Sequence, residues 1–186
     1  MGGMHSPLEL GLAAALGAVG LSLIEYLHHR VGGHTSHLGQ RLKESHLAHH
    51  RDPREGGVAL ATKYRQRLPL AAKVVAGIAT TTFLAFDGPI ALAVSTGAVL
   101  GYLYSEAYHH HMHHRPPRTR IGAWLRRYHY VHHFVNPRVN FGFTSPIWDV
   151  VFGTYQAAQT VTIPHDRVPD DLDPGMGFVL RERRGR

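Results

Sequence analysis

The 186-residue chain has no cysteine. That absence excludes a disulfide scaffold, thiolate zinc sites, iron–sulfur ligation and a cysteine nucleophile. Acids are scarce, with 13 Asp and Glu against 20 Lys and Arg, a formal charge of +7. Cations are missing from the first 27 residues, and Lys73 is alone among residues 69–108. Against these gaps stand 17 histidines. Histidine is only intermediate in burial preference, so packing does not account for such an excess. Imidazole is the commonest metal ligand. A purification tag would sit at one terminus, whereas these histidines fall in several interior clusters.

The mean hydropathy of −0.18 averages over segments of opposite kinds. Residues 7–27 are apolar between Glu9 and Glu25 and long enough for the ~20 residues that cross a hydrocarbon core. The lack of a basic leading region argues against a cleaved signal peptide. Residues 69–86 and 90–104 are apolar around the turn Asp87-Gly88-Pro89, a pattern that predicts a transmembrane hairpin. Lys73 is close enough to the end to snorkel. Gly11, Gly17, Gly20, Gly77, Gly97 and Gly101 suit close helix contact in lipid. The expected fold is all-α, an integral-membrane helical bundle of about three crossings with a cytoplasmic His-rich helical cap.

Eight Lys and Arg lie in residues 28–68 and six Arg in residues 109–153. The positive-inside rule places those blocks, and the C-terminus, in the cytoplasm. The arginines follow membrane ends rather than one soluble face, so no nucleic-acid partner is expected. The expected domains are a membrane domain over residues 1–155 and a loop-rich, partly disordered cytoplasmic tail over residues 156–186, which carries Pro164, Pro169 and Pro174.

The histidine spacing is regular. His29 and His34 lie five apart, off-register for one helix face, and Gly32-Gly33 is expected to end the helix and let His34 turn back. His46, His49 and His50 follow i, i+3, i+4, a spacing that shares one helical face. His109 and His113 form an i, i+4 pair, and His110 and His114 form a second about 100° round. His129, His132 and His133 repeat the i, i+3, i+4 pattern. Together these exceed the ligand capacity of one ion, so two ions are the economical reading. Nitrogen and oxygen donors alone suit Zn, Cu, Fe or Ni. A ligating imidazole usually donates its other N–H to a carboxylate or carbonyl, with Glu25, Glu44, Glu106 and Asp149 as candidates. Asp149 and Trp148 also read as structural ties. His5 and His165 read as surface residues.

The chain resembles the fatty acid hydroxylase/sterol desaturase superfamily of integral-membrane, histidine-ligated di-iron oxygenases. The resemblance is carried by Glu25-Tyr26-x2-His29-Arg30-x3-His34, His46-x2-His49-His50, His109-x3-His113-His114 and His129-x2-His132-His133. It continues through Asn140-Phe141-Gly142-Phe143-Thr144-Ser145-Pro146 to Trp148-Asp149-x2-Phe152-Gly153-Thr154. That last stretch looks like the fatty acid and ceramide hydroxylase branch. The resemblance implies metal ligands His29, His34, His46, His49, His50, His109, His113, His129, His132 and His133, with His28, His110, His111 and His114 as extras. It further implies two iron ions, O2 as co-substrate, a membrane lipid substrate and hydroxylation of an unactivated C–H bond. Electrons are expected from a separate donor, a ferredoxin or a cytochrome b5-like protein, and the location is expected to be a bacterial inner membrane.

Carotenoid ring hydroxylation is an alternative, supported by His49-His50-x2-Pro53-Arg54-x-Gly56, and sterol-type oxidation is another. A membrane metal transporter would need ligands within the apolar segments, and residues 7–27 and 69–104 contain no histidine.

Overall fold

The computed structural model describes residues 5–53, 60–157, 160–168, 172 and 176–181. Arg54 and Gly56 of the carotenoid-like segment, and Pro169 and Pro174 of the tail, lie outside them. The chain is mostly helical: α1 (Pro7–Leu27) continued by a π-helical turn (His28–Gly33), α2 (Gln40–Arg51), α3 (Leu60–Ala85), α4 (Gly88–His114), α5 (Arg120–Phe134) and α6 (Ile147–Val151). Two short strands follow, β1 (Val161–Pro164) and β2 (Phe178–Arg181), paired in parallel with Val161 opposite Phe178. The expected all-α class therefore gains a small sheet within the segment expected to be a loop-rich tail.

The chain divides into two compact units, residues 1–24 with 56–106 and residues 25–55 with 107–186. Helices α1 and α4 each begin in the first unit and end in the second. Among the described residues two helical stretches are long and apolar enough to cross a membrane, Pro7–Gly33 and Gly88–His114. Within α3, expected as part of the third crossing, the described apolar stretch is Ala71–Ala85. Pro69 lies inside α3, where its missing N–H and fixed ring interrupt the hydrogen-bond ladder.

The first unit opens on a reciprocal cap. Ser6 N–H donates to Glu9 Oε2 (2.7 Å), and Glu9 N–H donates to Ser6 Oγ (3.2 Å), which satisfies two otherwise orphaned donors at the start of α1. His5, expected as a plain surface residue, hydrogen-bonds Asp87. Asp87 in turn accepts from Ile90 N–H at the start of α4. Helices α1 and α4 meet at small residues. A Cβ on Gly97 would stand 1.8 Å from the Ala14 carbonyl oxygen, and one on Gly17 would stand 1.9 Å from that of Val94. Gly11, Gly20 and Gly77 would meet nothing within 4 Å, so only part of the glycine set serves helix contact. Apart from Leu21, the unit buries small side chains and exposes many large apolar ones: Ala91 and Ala98 are 0% and 1% exposed, Leu16 and Leu84 69% and 83%.

The second unit has α5 at its centre. Thr119 caps it by accepting from Gly122 N–H. Nine of its residues from Ala123 to His133 are buried. Tyr130, Val131 and Phe134 pack with Val161, Ile163 and Phe178 of the sheet, while the α5 histidines face the other way. Arg127 Nη1 donates to the Met176 carbonyl (2.6 Å) and helps hold β2 in place.

Candidate metal centre

All ten histidines implied by the resemblance converge in the second unit, in two groups of five. His29, His34, His46, His50 and His132 form the first, and His49, His109, His113, His129 and His133 form the second. Within each group one nitrogen per ring lies within 4.8 Å of all the others. The groups adjoin, since His50 of the first stacks on His133 of the second with ring centroids 4.3 Å apart.

Local structure explains the partition and corrects two expectations. The glycines after His29 do not end the helix. The chain forms a π-helical turn over His28–Gly33 instead, and its i→i+5 repeat puts residues five apart on one side. His29 and His34 share a group for that reason. Gly32 and Gly33 are needed for approach, because Cβ atoms there would stand 2.6 Å from Leu42 Cδ2 and 2.8 Å from His46 Cδ2. Nor do the three histidines of α2 act together. Residues i and i+4 diverge by ~40° round a helix, whereas i+3 and i+4 diverge by ~100°. His46 and His50 therefore enter the first group and His49 the second. Helix α5 mirrors this, sending His129 and His133 to the second group and His132 to the first. Each group thus has a helix-end pair, an i, i+4 pair, and one i+3 histidine lent by the opposite helix.

Tautomers follow from the acceptors. His29 Nδ1 lies 2.6 Å from the Phe141 carbonyl and His132 Nδ1 2.7 Å from that of Val139. A carbonyl only accepts, so both Nδ1 atoms carry the proton and both Nε2 atoms present a lone pair. These acceptors are backbone carbonyls, not the carboxylates considered from sequence. Asp149 acts one step back. Fully buried, its carboxylate accepts from Phe141 N–H (2.9 Å), Gly142 N–H (2.8 Å), Thr154 Oγ1 (2.7 Å) and the Tyr128 hydroxyl. It holds the loop whose carbonyl orients His29. Tyr26 completes this support, stacking on Phe152 at 5.2 Å and bonding Thr154 Oγ1 at 2.8 Å.

A cation fits both groups. His46 Nε2 faces the Nε2 atoms of His29 (3.0 Å), His34 (2.9 Å) and His50 (2.9 Å). One N–H can satisfy one of these at most, so lone pairs would oppose one another without a positive charge between them. His113 Nε2 likewise lies 2.9 Å from His129 Nε2 and 3.2 Å from His109 Nε2. Ligand nitrogens at ~2.1 Å from an ion are ~3.0 Å apart when they subtend a right angle, which matches these spacings. Both ring nitrogens of buried His133 lack a hydrogen-bond partner among the described residues. Burial holds His34 at about 4 and His50 and His129 at about 3, below the ordinary imidazole value. Desolvation disfavours the imidazolium, so the rings stay neutral and competent to ligate.

Phe143 lies within the loop motif before α6 and carries no role legible in the sequence. Its ring stacks on His29 of the first group (4.7 Å) and on His109 of the second (4.4 Å). A lone aromatic in a loop gives no periodic signal by which to find it.

Helices carrying two adjoining all-imidazole groups define a histidine-rich helical protein suited to a pair of metal ions. The chain belongs to the fatty acid hydroxylase family, whose profile matches residues 14–154, within the fatty acid hydroxylase/sterol desaturase superfamily. It is 28% identical over 152 residues to dihydroceramide fatty acyl 2-hydroxylase FAH2 of Arabidopsis thaliana, covering 78% of this chain and 61% of that protein. It is 33% identical over 96 residues to ceramide very long chain fatty acid hydroxylase scs7 of Schizosaccharomyces pombe, covering 50% and 28%. The solved structure of full-length scs7p, in which only the hydroxylase domain is visible, matches with a TM-score of 0.59 at 26% identity, over 82% of this chain and 58% of that one. The chain therefore spans about 61% of the length of the Arabidopsis relative.

Proposed function

We propose that the chain is a membrane-bound, O2-dependent hydroxylase of a lipid C–H bond, acting on a fatty acyl or ceramide-like substrate. Two iron ions would be held, one by His29, His34, His46, His50 and His132, the other by His49, His109, His113, His129 and His133. The observation that carries this reading is the convergence of ten imidazoles with opposed Nε2 atoms and no thiol or carboxylate among them. The substrate class rests on the named relatives, a dihydroceramide fatty acyl 2-hydroxylase and a ceramide very long chain fatty acid hydroxylase.

Bound iron would supply the activation of O2 and the attack on an unreactive C–H bond. The chain supplies position and environment. The Phe141 and Val139 carbonyls fix the tautomers of His29 and His132. Burial keeps the imidazoles unprotonated and bulk water away. Phe143 lays an apolar ring beside both groups, where a hydrocarbon chain can lie.

Membrane placement is supported by the exposure pattern of the first unit. Lipid offers large side chains no penalty, and close helix contact selects small ones. The cationic blocks at residues 28–68 and 109–153 support a cytoplasmic metal centre, where a ferredoxin or cytochrome b5-like donor can reach it.

The test is expression in lipid-producing cells, with mass spectrometry of extracted lipids and metal analysis of the purified protein. Acyl chains carrying one added oxygen and two irons per chain are expected. An oxygenated carotenoid or sterol instead would overturn the substrate class. Iron-loaded, reduced protein that oxygenates none of these lipids would overturn the activity.

A further inference from the structure

Five of the six residues from His109 to His114 are histidine, yet only His109 and His113 join either group. His110 and His114 form the neighbouring i, i+4 pair, ~100° round α4. Their ring centroids are 4.2 Å apart with the planes tilted by 35°. His110 is exposed and His114 half-buried, whereas His109 and His113 are buried. The pair occupies the end of a 27-residue helix, where the negative end of the helix dipole favours a cation. Two imidazoles one turn apart offer two nitrogens to one ion and leave its remaining positions to water, as an exchangeable site requires. The second group is closed by comparison, and a hydrated ion must shed its waters to enter it.

We propose that His110 and His114 form a third, solvent-accessible transition-metal site, which captures a divalent ion and passes it to the adjoining group of His49, His109, His113, His129 and His133. Capture stands on the pair alone, while delivery rests on the reading that this group is filled by metal. Transfer needs no redox step: each ion–imidazole bond lost at the surface is replaced by one to a buried imidazole.

The experiment uses the full chain in detergent, stripped of metal by a chelator. The first probe is the copper(II)–iminodiacetate complex, whose chelator leaves two adjacent copper positions for a histidine pair and whose bulk keeps it out of the buried groups. The wild-type protein should show an electron paramagnetic resonance signal with splitting from two imidazole nitrogens, and H110A/H114A should lose it. The second probe is cobalt(II), followed by its visible absorbance. H110A/H114A should reach the wild-type content of tightly bound cobalt but fill several-fold more slowly at limiting metal. A copper signal that is absent from the wild type or survives the double substitution overturns the site. Equal filling rates overturn delivery. H129A/H133A separates the two readings: it should lose a tight cobalt equivalent and keep the copper signal, and unchanged tight cobalt binding would overturn the two-group reading without touching the surface site.

Discussion

His46 faces three other imidazoles through one nitrogen, at 2.9 to 3.0 Å. A cation inside stabilises a cluster so arranged, and burial disfavours protonation of its rings. That has a consequence for pH. In the unfolded chain histidines take up protons below about 6.5, whereas in the native state His34 does so near 4 and His50 and His129 near 3. The unfolded state thus binds more protons in that interval, and stability falls as pH falls. Metal-stripped protein in detergent should lose thermal stability steadily as pH falls from 6.5 to 3. A midpoint flat across that range would show that the rings are not buried as described. His132→Ala should remove one of two iron equivalents and reduce product below detection while membrane insertion is unchanged, as checked by metal analysis and fractionation. Retained turnover would sink the ligand assignment. Asp149→Asn keeps the shape of the side chain but weakens its hold on the Phe141 loop. Support of this kind is worth about 10–100-fold in metal affinity, a loss that competition with a chelator would register.

At the scale of elements, α2 and α5 each serve both groups, because consecutive histidines leave a helix in different directions. The i, i+3, i+4 spacing was legible in the sequence. Which member would cross to the other group was not, since that depends on where the partner helix lies. The π-helical turn was illegible for a related reason: a five-residue spacing reads as off-register until the backbone widens to fit it. The α1–α4 contact was half legible. Six glycines suggested close packing, but only Gly17, Gly97 and Gly101 approach the partner helix. Gly97→Leu should force the backbones apart and cost about 1–3 kcal/mol or more, as overpacking does, lowering the thermal midpoint in detergent. Gly77→Leu, with nothing within 4 Å of its Cβ position, should leave the midpoint where it is. Equal effects of the two would contradict the contact.

For the whole molecule, orientation is the open consequence of charge. The absence of native cysteine makes it measurable. A cysteine replacing exposed Gly88 should react with a membrane-impermeant maleimide in intact cells, whereas one replacing exposed Arg118 should react only after lysis. The reverse pattern would invert the proposed topology.

Sequence alone determined the helical, apolar-then-basic character of the chain, a donor set without thiols and the regular spacing of the histidines, because hydropathy and residue spacing are written in local order. Tertiary structure alone decided that these ten divide five and five, that carbonyls rather than carboxylates orient His29 and His132, that Phe143 lies beside both groups and that the C-terminal strands pack on α5. Each of these depends on residues far apart in the chain meeting in space, and no local period records such a meeting.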